Sequence, residues 1–184
     1  MTDSTSTPAC SSVRYGFIGC GMMGQEHLRN LALIAGAHTA ALFEPDDAMA
    51  ATALALAPGA VRVPSLGALL AHPGLDALVI TSPNHCHAAQ LQQIAAARPL
   101  PVLCEKPVCT NLDQVADLRA LAARHPAPLW VAMEYRYMPP IAALVAATHA
   151  AADTGGATLL SIREHRYPFL RKVGDWNRFA ANTG

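Results

Sequence analysis

The feature that most constrains this chain is a short apolar run that ends in three closely spaced glycines. The stretch Val13 to Gly24 begins with β-prone residues and carries Gly19, Gly21 and Gly24 in a G-x-G-x-x-G spacing. The first glycine permits a tight turn, the second lets the backbone approach a pyrophosphate, and the third lets a helix pack closely on the strand. Glycines also serve ordinary turns, but a strand before them and a helix after them favour a dinucleotide site whose phosphates meet the helix N-terminus.

Apolar runs and amphipathic segments alternate along the rest of the chain, which predicts a doubly wound parallel α/β sheet of the Rossmann type. The predicted strands are 13–18, 37–43, 60–63, 75–81, 101–104 and 129–133. The predicted helices are 25–35, 46–57, 65–70, 85–97, 111–124 and 139–150. We expect a disordered tail at 1–12, a Rossmann domain at 13–150, and at 151–184 the truncated start of an α+β domain whose first strand is 157–166.

Composition narrows the class of protein. The 184 residues are 52% hydrophobic and 14% charged, which is typical of a globular chain with a core. Thirteen basic and thirteen acidic residues give a net charge of zero, so nothing indicates binding to nucleic acid or to an anionic membrane. No apolar run approaches the ~20 residues that span a bilayer. Five cysteines without a disulfide spacing, and no secretory signal, favour a cytoplasmic setting.

An acidic residue follows the second predicted strand. Glu44 lies about 20 positions beyond the last glycine, where a dinucleotide site needs a carboxylate for the ribose hydroxyls. Taken alone, a solvated charge at a strand end is the simpler interpretation, and the glycine loop is what favours the ribose role. Pro45, Asp46 and Asp47 come next, with no arginine or lysine nearby to pair with a 2′-phosphate. The sequence therefore favours NAD over NADP.

A polar segment follows the fourth predicted strand, at the sheet edge where such folds bind ligands. It includes Ser82, Asn84 and His87. Asn84 has the residue type of a helix N-cap, a role that can coexist with cofactor contact. We expect His87 to be solvated or to face a phosphate. A metal site with the candidate ligands His85, His87, Cys104 and Cys109 is a weaker hypothesis. It is weak because these residues do not have the spacing of a zinc site.

Glu105, Lys106 and Pro107 follow the fifth predicted strand. Packing does not explain a charged pair at this position, although an exposed ion pair in a loop remains the alternative interpretation. The proline restrains the backbone of Lys106, and the Lys–Pro bond can be cis at modest cost. Such a turn could hold a lysine ammonium over the cleft at the sheet edge.

These motifs together resemble the Gfo/Idh/MocA oxidoreductases, the glucose–fructose oxidoreductase and inositol dehydrogenase superfamily. The resemblance rests on four stretches, which occur in the order 19–24, 81–87, 105–107 and 135–139. The Glu-Lys-Pro motif is the most specific of them. The segment 165–179 also resembles the family's entry into its second domain.

The resemblance implies hydride transfer between a nicotinamide cofactor and a sugar, polyol or related carbonyl compound. It places Lys106 beside the nicotinamide as the catalytic residue, where its charge would stabilise a developing alkoxide. Glu105 would lie near the nicotinamide ribose, and Trp176 would approach the cofactor or substrate. The full expected cofactor-binding set is Gly19, Gly21, Met22, Met23, Gly24, Glu44, Ser82, Asn84, His87, Glu105, Lys106 and Arg136.

The chain departs from the family pattern at its end. Family members carry a second domain on a large sheet, and that domain supplies an Asp and a His downstream. The chain ends at Gly184, before such a pair could appear. We therefore expect a fragment with little activity alone, from a parent enzyme that is a homo-oligomer. The alternative is a nucleotide-binding module or pseudo-enzyme that binds NAD without catalysis.

Overall fold

One sheet of six parallel strands organises the computed structural model, which describes residues 12–152, 161, 163 and 172–183. The strand order is β3-β2-β1-β4-β5-β6, so the predicted doubly wound sheet is confirmed. The strands are β1 Val13–Ile18, β2 Ala37–Phe43, β3 Val61–Arg62, β4 Ala77–Ile80, β5 Val102–Glu105 and β6 Leu129–Ala132. The expected tail at 1–11 and the expected strand at 157–166, except 161 and 163, lie outside the described residues.

Helices connect successive strands on both faces of the sheet. These are α1 Met22–Leu31, α2 Asp47–Leu56, α3 Leu66–Ala71, α4 His87–Ala97 and α5 Val115–Arg124. Helices α6 Pro139–Ala152 and α7 Ala180–Thr183 follow β6. The predicted bounds of α1 were wrong, because the helix begins directly after Gly21 and ends at Leu31. Ala32 and Ala35, expected on its buried face, are exposed. Among the described helices, none combines the length and the apolar character needed to cross a membrane.

Side-chain caps explain where several helices begin. The Asp46 carboxylate accepts from the backbone N–H of Met49 at 2.9 Å, and the Ser65 hydroxyl accepts from that of Ala68 at 3.0 Å. The residue types predict a cap at Asp46 or Asp47 and one at Ser65, and the structure selects Asp46 and confirms Ser65. The predicted cap at Asn84 was wrong, because residues 84–86 form a 3₁₀ turn before α4 and the Asn84 side chain makes no capping bond there.

The core lies on both faces of the sheet, as expected for parallel strands covered by helices. Adjacent residues of β1 illustrate this, since Phe17 and Ile18 point to opposite faces and belong to separate hydrophobic clusters. Both side chains are fully buried. This packing fixes the strands so that their carboxyl ends meet at one edge, called here the carboxyl edge.

Candidate active site

The glycine loop lies at the carboxyl edge, and a Cβ would meet different surroundings at each of its three glycines. Gly19 has φ +82°, and a Cβ there would lie 2.6 Å from the backbone of Ser82. A Cβ on Gly24 would lie 2.7 Å from the carbonyl oxygen of Gly19. At Gly21 the nearest atom is Met49 Sδ at 3.9 Å, so the side that a pyrophosphate would approach is open.

Helix α1 begins at this open side. Met22 and Met23 form its first turn, where backbone N–H groups have no partner within the helix. Met22 is about half exposed, and the ammonium Nζ of Lys172 lies 4.0 Å from its sulfur. Burial lowers the pKa of Lys172. Sequence reasoning missed Lys172 at this position, because no local pattern indicates a contact between residues 150 positions apart.

Glu44 directly follows β2 beside the loop and is buried, so a solvated charge is the wrong interpretation. Its Oε2 accepts from the backbone N–H of Cys20 at 2.6 Å, and its Oε1 accepts from that of Asp46 at 2.9 Å. Burial, together with the neighbouring Glu44 charge, raises the pKa of the Cys20 thiol to about 12. The carboxylate therefore joins the glycine loop to the start of α2.

An arginine lies beside Glu44, so the expectation of no nearby basic residue was wrong in three dimensions. Arg62 on β3 donates from Nε to the Glu44 carbonyl at 3.0 Å and from Nη2 to the Pro45 carbonyl at 3.1 Å. Its Nη1 lies 2.7 Å from Asp47 Oδ1. Strand pairing between β2 and β3 places it there, which sequence distance from Glu44 conceals.

The segment after β4 is more inward-facing than expected. Ser82 Oγ donates to Gln90 Oε1 at 2.6 Å, and Asn84 Nδ2 donates to the Thr183 carbonyl at 3.4 Å. His87 is fully buried, so the prediction of a solvated or phosphate-facing ring was wrong. At the first residue of α4, its ring points inward between the strand ends.

The Glu-Lys-Pro turn lies at the same edge, after β5. The Glu105 Oε1 lies 2.8 Å from His27 Nε2, and its Oε2 accepts from the Lys106 N–H at 3.2 Å. Burial opposes ionisation of Glu105, but bonds and charges from His27 and Lys106 hold its pKa below the usual value. Lys106 Nζ lies 3.7 Å from Glu134 Oε1, with both side chains 46% exposed. The Lys106–Pro107 bond is cis.

Two residues that contact this turn, His27 and Glu134, were not in the predicted site. His27 follows the last glycine by three positions, which puts it on the first turns of α1, and Glu134 follows β6. Arg136, which was in the predicted site, lies on an exposed 3₁₀ turn, and its backbone N–H donates to the Met133 carbonyl. Within the described residues no hydrogen bond joins its side chain to the glycine loop or to Lys106.

The carboxyl edge thus brings together three chemical functions. A helix N-terminus offers N–H groups to an anion, a buried carboxylate can accept from hydroxyls, and a half-exposed ammonium can donate to an oxygen. Within the described part of the chain, no group of three His, Cys, Asp or Glu side chains is placed to hold a metal ion. These groups suit a phosphate-bearing dinucleotide next to an oxygen-bearing substrate.

Comparison with known proteins agrees with this geometry. Residues 13–133, more than half of the chain, match the Gfo/Idh/MocA family, described as an oxidoreductase family with an NAD-binding Rossmann fold. The chain belongs to this family. The resemblance seen in the sequence motifs is therefore confirmed.

Individual relatives are inositol dehydrogenases. The inositol 2-dehydrogenase of Leifsonia xyli is 41% identical over 118 residues, which cover 64% of this chain and 33% of the relative. The myo-inositol dehydrogenase Hyg17 of Streptomyces leeuwenhoekii is 31% identical over 148 residues, 80% of this chain and 44% of the relative. The chain therefore spans less than half the length of these relatives.

A solved structure gives the same picture. The myo-inositol dehydrogenase of Lactobacillus casei, in complex with NAD(H) and myo-inositol, superimposes with a TM-score of 0.70 at 25% identity. The match covers 76% of this chain and 42% of that one. The shared architecture is that of the six-stranded domain described above.

Proposed function

We propose that this chain binds NAD along the carboxyl edge and forms the cofactor-binding part of a dehydrogenase acting on a polyol or sugar. The observation that carries the proposal is the placement of the open glycine loop, the Glu44 carboxylate and the Lys106 ammonium on one edge of one sheet. The inositol dehydrogenases among its relatives support the substrate class.

The cofactor would lie along residues that fit its parts. The open side of Gly21 and the first turn of α1 would hold the pyrophosphate. Glu44 would accept from the adenosine ribose hydroxyls and would repel a 2′-phosphate. Arg62 is close enough to attract such a phosphate, but Asp47 pairs with its charge and two carbonyls accept from its Nε and Nη2. NAD is therefore the proposed cofactor rather than NADP.

Lys106 is the proposed catalytic residue. Bound NAD would supply the hydride acceptor. The Lys106 ammonium would donate a hydrogen bond to the substrate oxygen and stabilise the negative charge that this oxygen gains as its hydroxyl proton passes to water, before hydride leaves the carbon and the carbonyl forms. Glu134 lies within ion-pair distance of Lys106 in the structure and is half exposed. A half-exposed pair of this kind leaves the ammonium able to exchange one oxygen partner for another.

The same proposal covers the remaining properties of the protein. We propose a small polyol or sugar as its partner, with no nucleic acid or membrane partner because the net charge is zero. The parent enzyme is proposed to be a cytoplasmic homo-oligomer.

A second candidate function is an NAD-binding module without catalysis. The half-exposed Lys106 and Glu134 favour it, since electrostatic catalysis needs an enclosed site.

Titration of the chain with NADH, followed by nicotinamide fluorescence, tests the cofactor proposal. Wild type should show saturable binding. Gly21→Ala should fold normally, because its Cβ meets nothing closer than 3.9 Å, but it should lose NADH binding because the methyl fills the pyrophosphate side.

Gly67→Ala is the matched control. Gly67 also lies near a helix start, and a Cβ there would meet nothing closer than 3.8 Å. This variant should bind NADH as wild type does. No fluorescence change with wild type, or equal binding by Gly21→Ala, would refute the proposed site. Turnover of a polyol by any form of the protein would exclude the module without catalysis.

A further inference from the structure

The backbone of the Lys106 turn is held by two histidines that come from different parts of the chain. His27 lies on α1, directly after the glycine loop, and His87 is the first residue of α4. One contacts Glu105, the residue before the lysine, and the other contacts Pro107, the residue after it. The lysine is thus bracketed by one histidine contact on each side.

His87 forms a bridge between two strand ends. Its Nδ1 lies 2.8 Å from the carbonyl oxygen of Pro107, and its Nε2 lies 2.9 Å from that of Ser82. A neutral imidazole donates to one of these oxygens and an imidazolium donates to both. The fully buried ring thus lies between the turn after β5 and the segment after β4, and in either form it donates to at least one of them.

His27 makes the second contact. Its Nε2 lies 2.8 Å from Glu105 Oε1, while the other carboxylate oxygen accepts from the Lys106 N–H. The Glu105 side chain is 8% exposed and that of His27 is 24% exposed, so the pair is shielded from water. A buried, charge-assisted hydrogen bond of this kind holds geometry more firmly than an exposed ion pair.

The lysine side chain itself has no comparable restraint. Among the described residues its Nζ forms an ion pair with Glu134, at 3.7 Å and half exposed. The position of the Lys106 ammonium must therefore be set by the backbone of the turn. Misplacement of a reacting group by about 1 Å can cost about 10²-fold in rate, so the contacts that hold this backbone would affect the rate of the reaction.

We propose that His27 and His87 are positioning residues that clamp the Glu105–Pro107 turn from both sides and so fix the Lys106 ammonium against the bound nicotinamide. This inference rests on the proposed function. It also makes α1 serve two purposes, because one helix presents N–H groups at Met22 and anchors the catalytic turn through His27. Cofactor binding and lysine placement then depend on the same rigid element.

The sequence offers a direct probe, because it contains two lysines, Lys106 and Lys172. Acetylation of each amine by a limiting reagent can be followed by mass spectrometry of the two peptides, with and without saturating NADH. In wild type, NADH should slow acetylation of Lys106. In His27→Ala and His87→Ala this protection should be lost, while the Kd for NADH changes by less than about tenfold, the worth of one hydrogen bond.

Conservative and matched variants separate positioning from general stability. His27→Gln keeps a side-chain N–H for Glu105 and should restore protection of Lys106. His125→Ala is the control, because His125 Nε2 also lies 2.9 Å from a backbone carbonyl, that of Leu100, at the opposite end of β5. It should lower the melting temperature but keep the protection. If His87→Ala does not fold, the partly exposed His27 variants carry the test.

Each remaining outcome decides the matter. Full protection of Lys106 in His27→Ala and His87→Ala, or loss of protection in His125→Ala, would overturn the clamp. If wild type fails to bind NADH, or binds it without protecting Lys106, the proposed function fails on its own. The clamp is then decided by hydrogen exchange at the Lys106 amide, which donates to Glu105. Exchange that is unchanged in both alanine variants would refute it.

Discussion

The two ends of the carboxyl edge differ in how completely the chain builds them. At the loop end, Gly19, Gly24 and Glu44 are buried, and their close contacts are with neighbouring loops and helices. At the lysine end, the backbone of the turn is anchored, but Lys106 and Glu134 are each 46% exposed. The proposed phosphate site thus lies against described residues that are buried, whereas the surroundings of the Lys106 ammonium are open.

The exposed strand β6 extends this contrast. Trp130 and Val131 on β6 are 57% and 42% exposed, whereas the buried residues of β1 are covered on both faces. An exposed ion pair contributes about 0–1 kcal/mol, so the Lys106–Glu134 pair restrains the ammonium only weakly. The difference teaches that the glycine-loop end is held by buried backbone contacts. The position of the proposed reacting group, the Lys106 ammonium, depends instead on the contacts that hold its turn and on what covers it.

The largest expected effect is at the lysine end. In a form of the protein that turns over a polyol, Lys106→Ala should lower kcat by about 10²–10³-fold, because it removes the donor that stabilises the alkoxide. The Kd for NADH should change little, since the loop end is intact. Steady-state kinetics and an NADH titration measure the two quantities, and equal kcat would remove Lys106 from the mechanism.

The next effect is at the loop end, on folding and binding together. Gly19→Ala places a Cβ 2.6 Å from the Ser82 backbone at φ +82°, and should lower the free energy of unfolding by ~2–4 kcal/mol and abolish NADH binding. Gly59→Ala is the control, since Gly59 has φ +94° with nothing within 4 Å of its Cβ. It should lower stability by only ~1–2 kcal/mol and keep NADH binding. Equal losses in urea denaturation would contradict the steric account.

A smaller effect concerns cofactor choice. Glu44→Ser removes the carboxylate that would repel a 2′-phosphate and leaves Arg62 nearby, so the ratio of NADPH to NADH affinity should rise about tenfold or more. Fluorescence titration with each cofactor gives the ratio. In Glu44→Ser with Arg62→Ala the gain should disappear. A gain that persists without Arg62 would show that the arginine has no part in it.

The smallest effect is a pH dependence of stability. The folded-state pKa of Glu105 lies below its ordinary value of 4.5, so its stabilising contribution is complete above that value and is lost as pH falls through the lowered pKa. In Glu105→Gln, stability measured by urea denaturation should fall less steeply over the same acidic range. An unchanged slope would show that the His27 contact does not stabilise the fold.

Local chemistry explains why much of the fold was predictable. Caps at Asp46 and Ser65, the glycine spacing, and apolar runs on buried strands are short-range signals, and the doubly wound class of the sheet followed from the alternation of strands and helices. The errors share a cause. The sequence predicts a solvated or phosphate-facing His87 and gives no sign of Arg62 beside Glu44, because ring direction and strand pairing depend on residues far along the chain. The remaining site residues stay predictions.

The sequence by itself determined the parallel sheet, the glycine loop and the family, because each depends on residue types at fixed short spacings. Tertiary structure alone decided which groups face one another across the carboxyl edge. It buried Glu44 and His87, brought Arg62 beside the second strand, and joined His27 to Glu105 over 78 positions. Such contacts follow from how packed helices and strands meet, which no local pattern encodes.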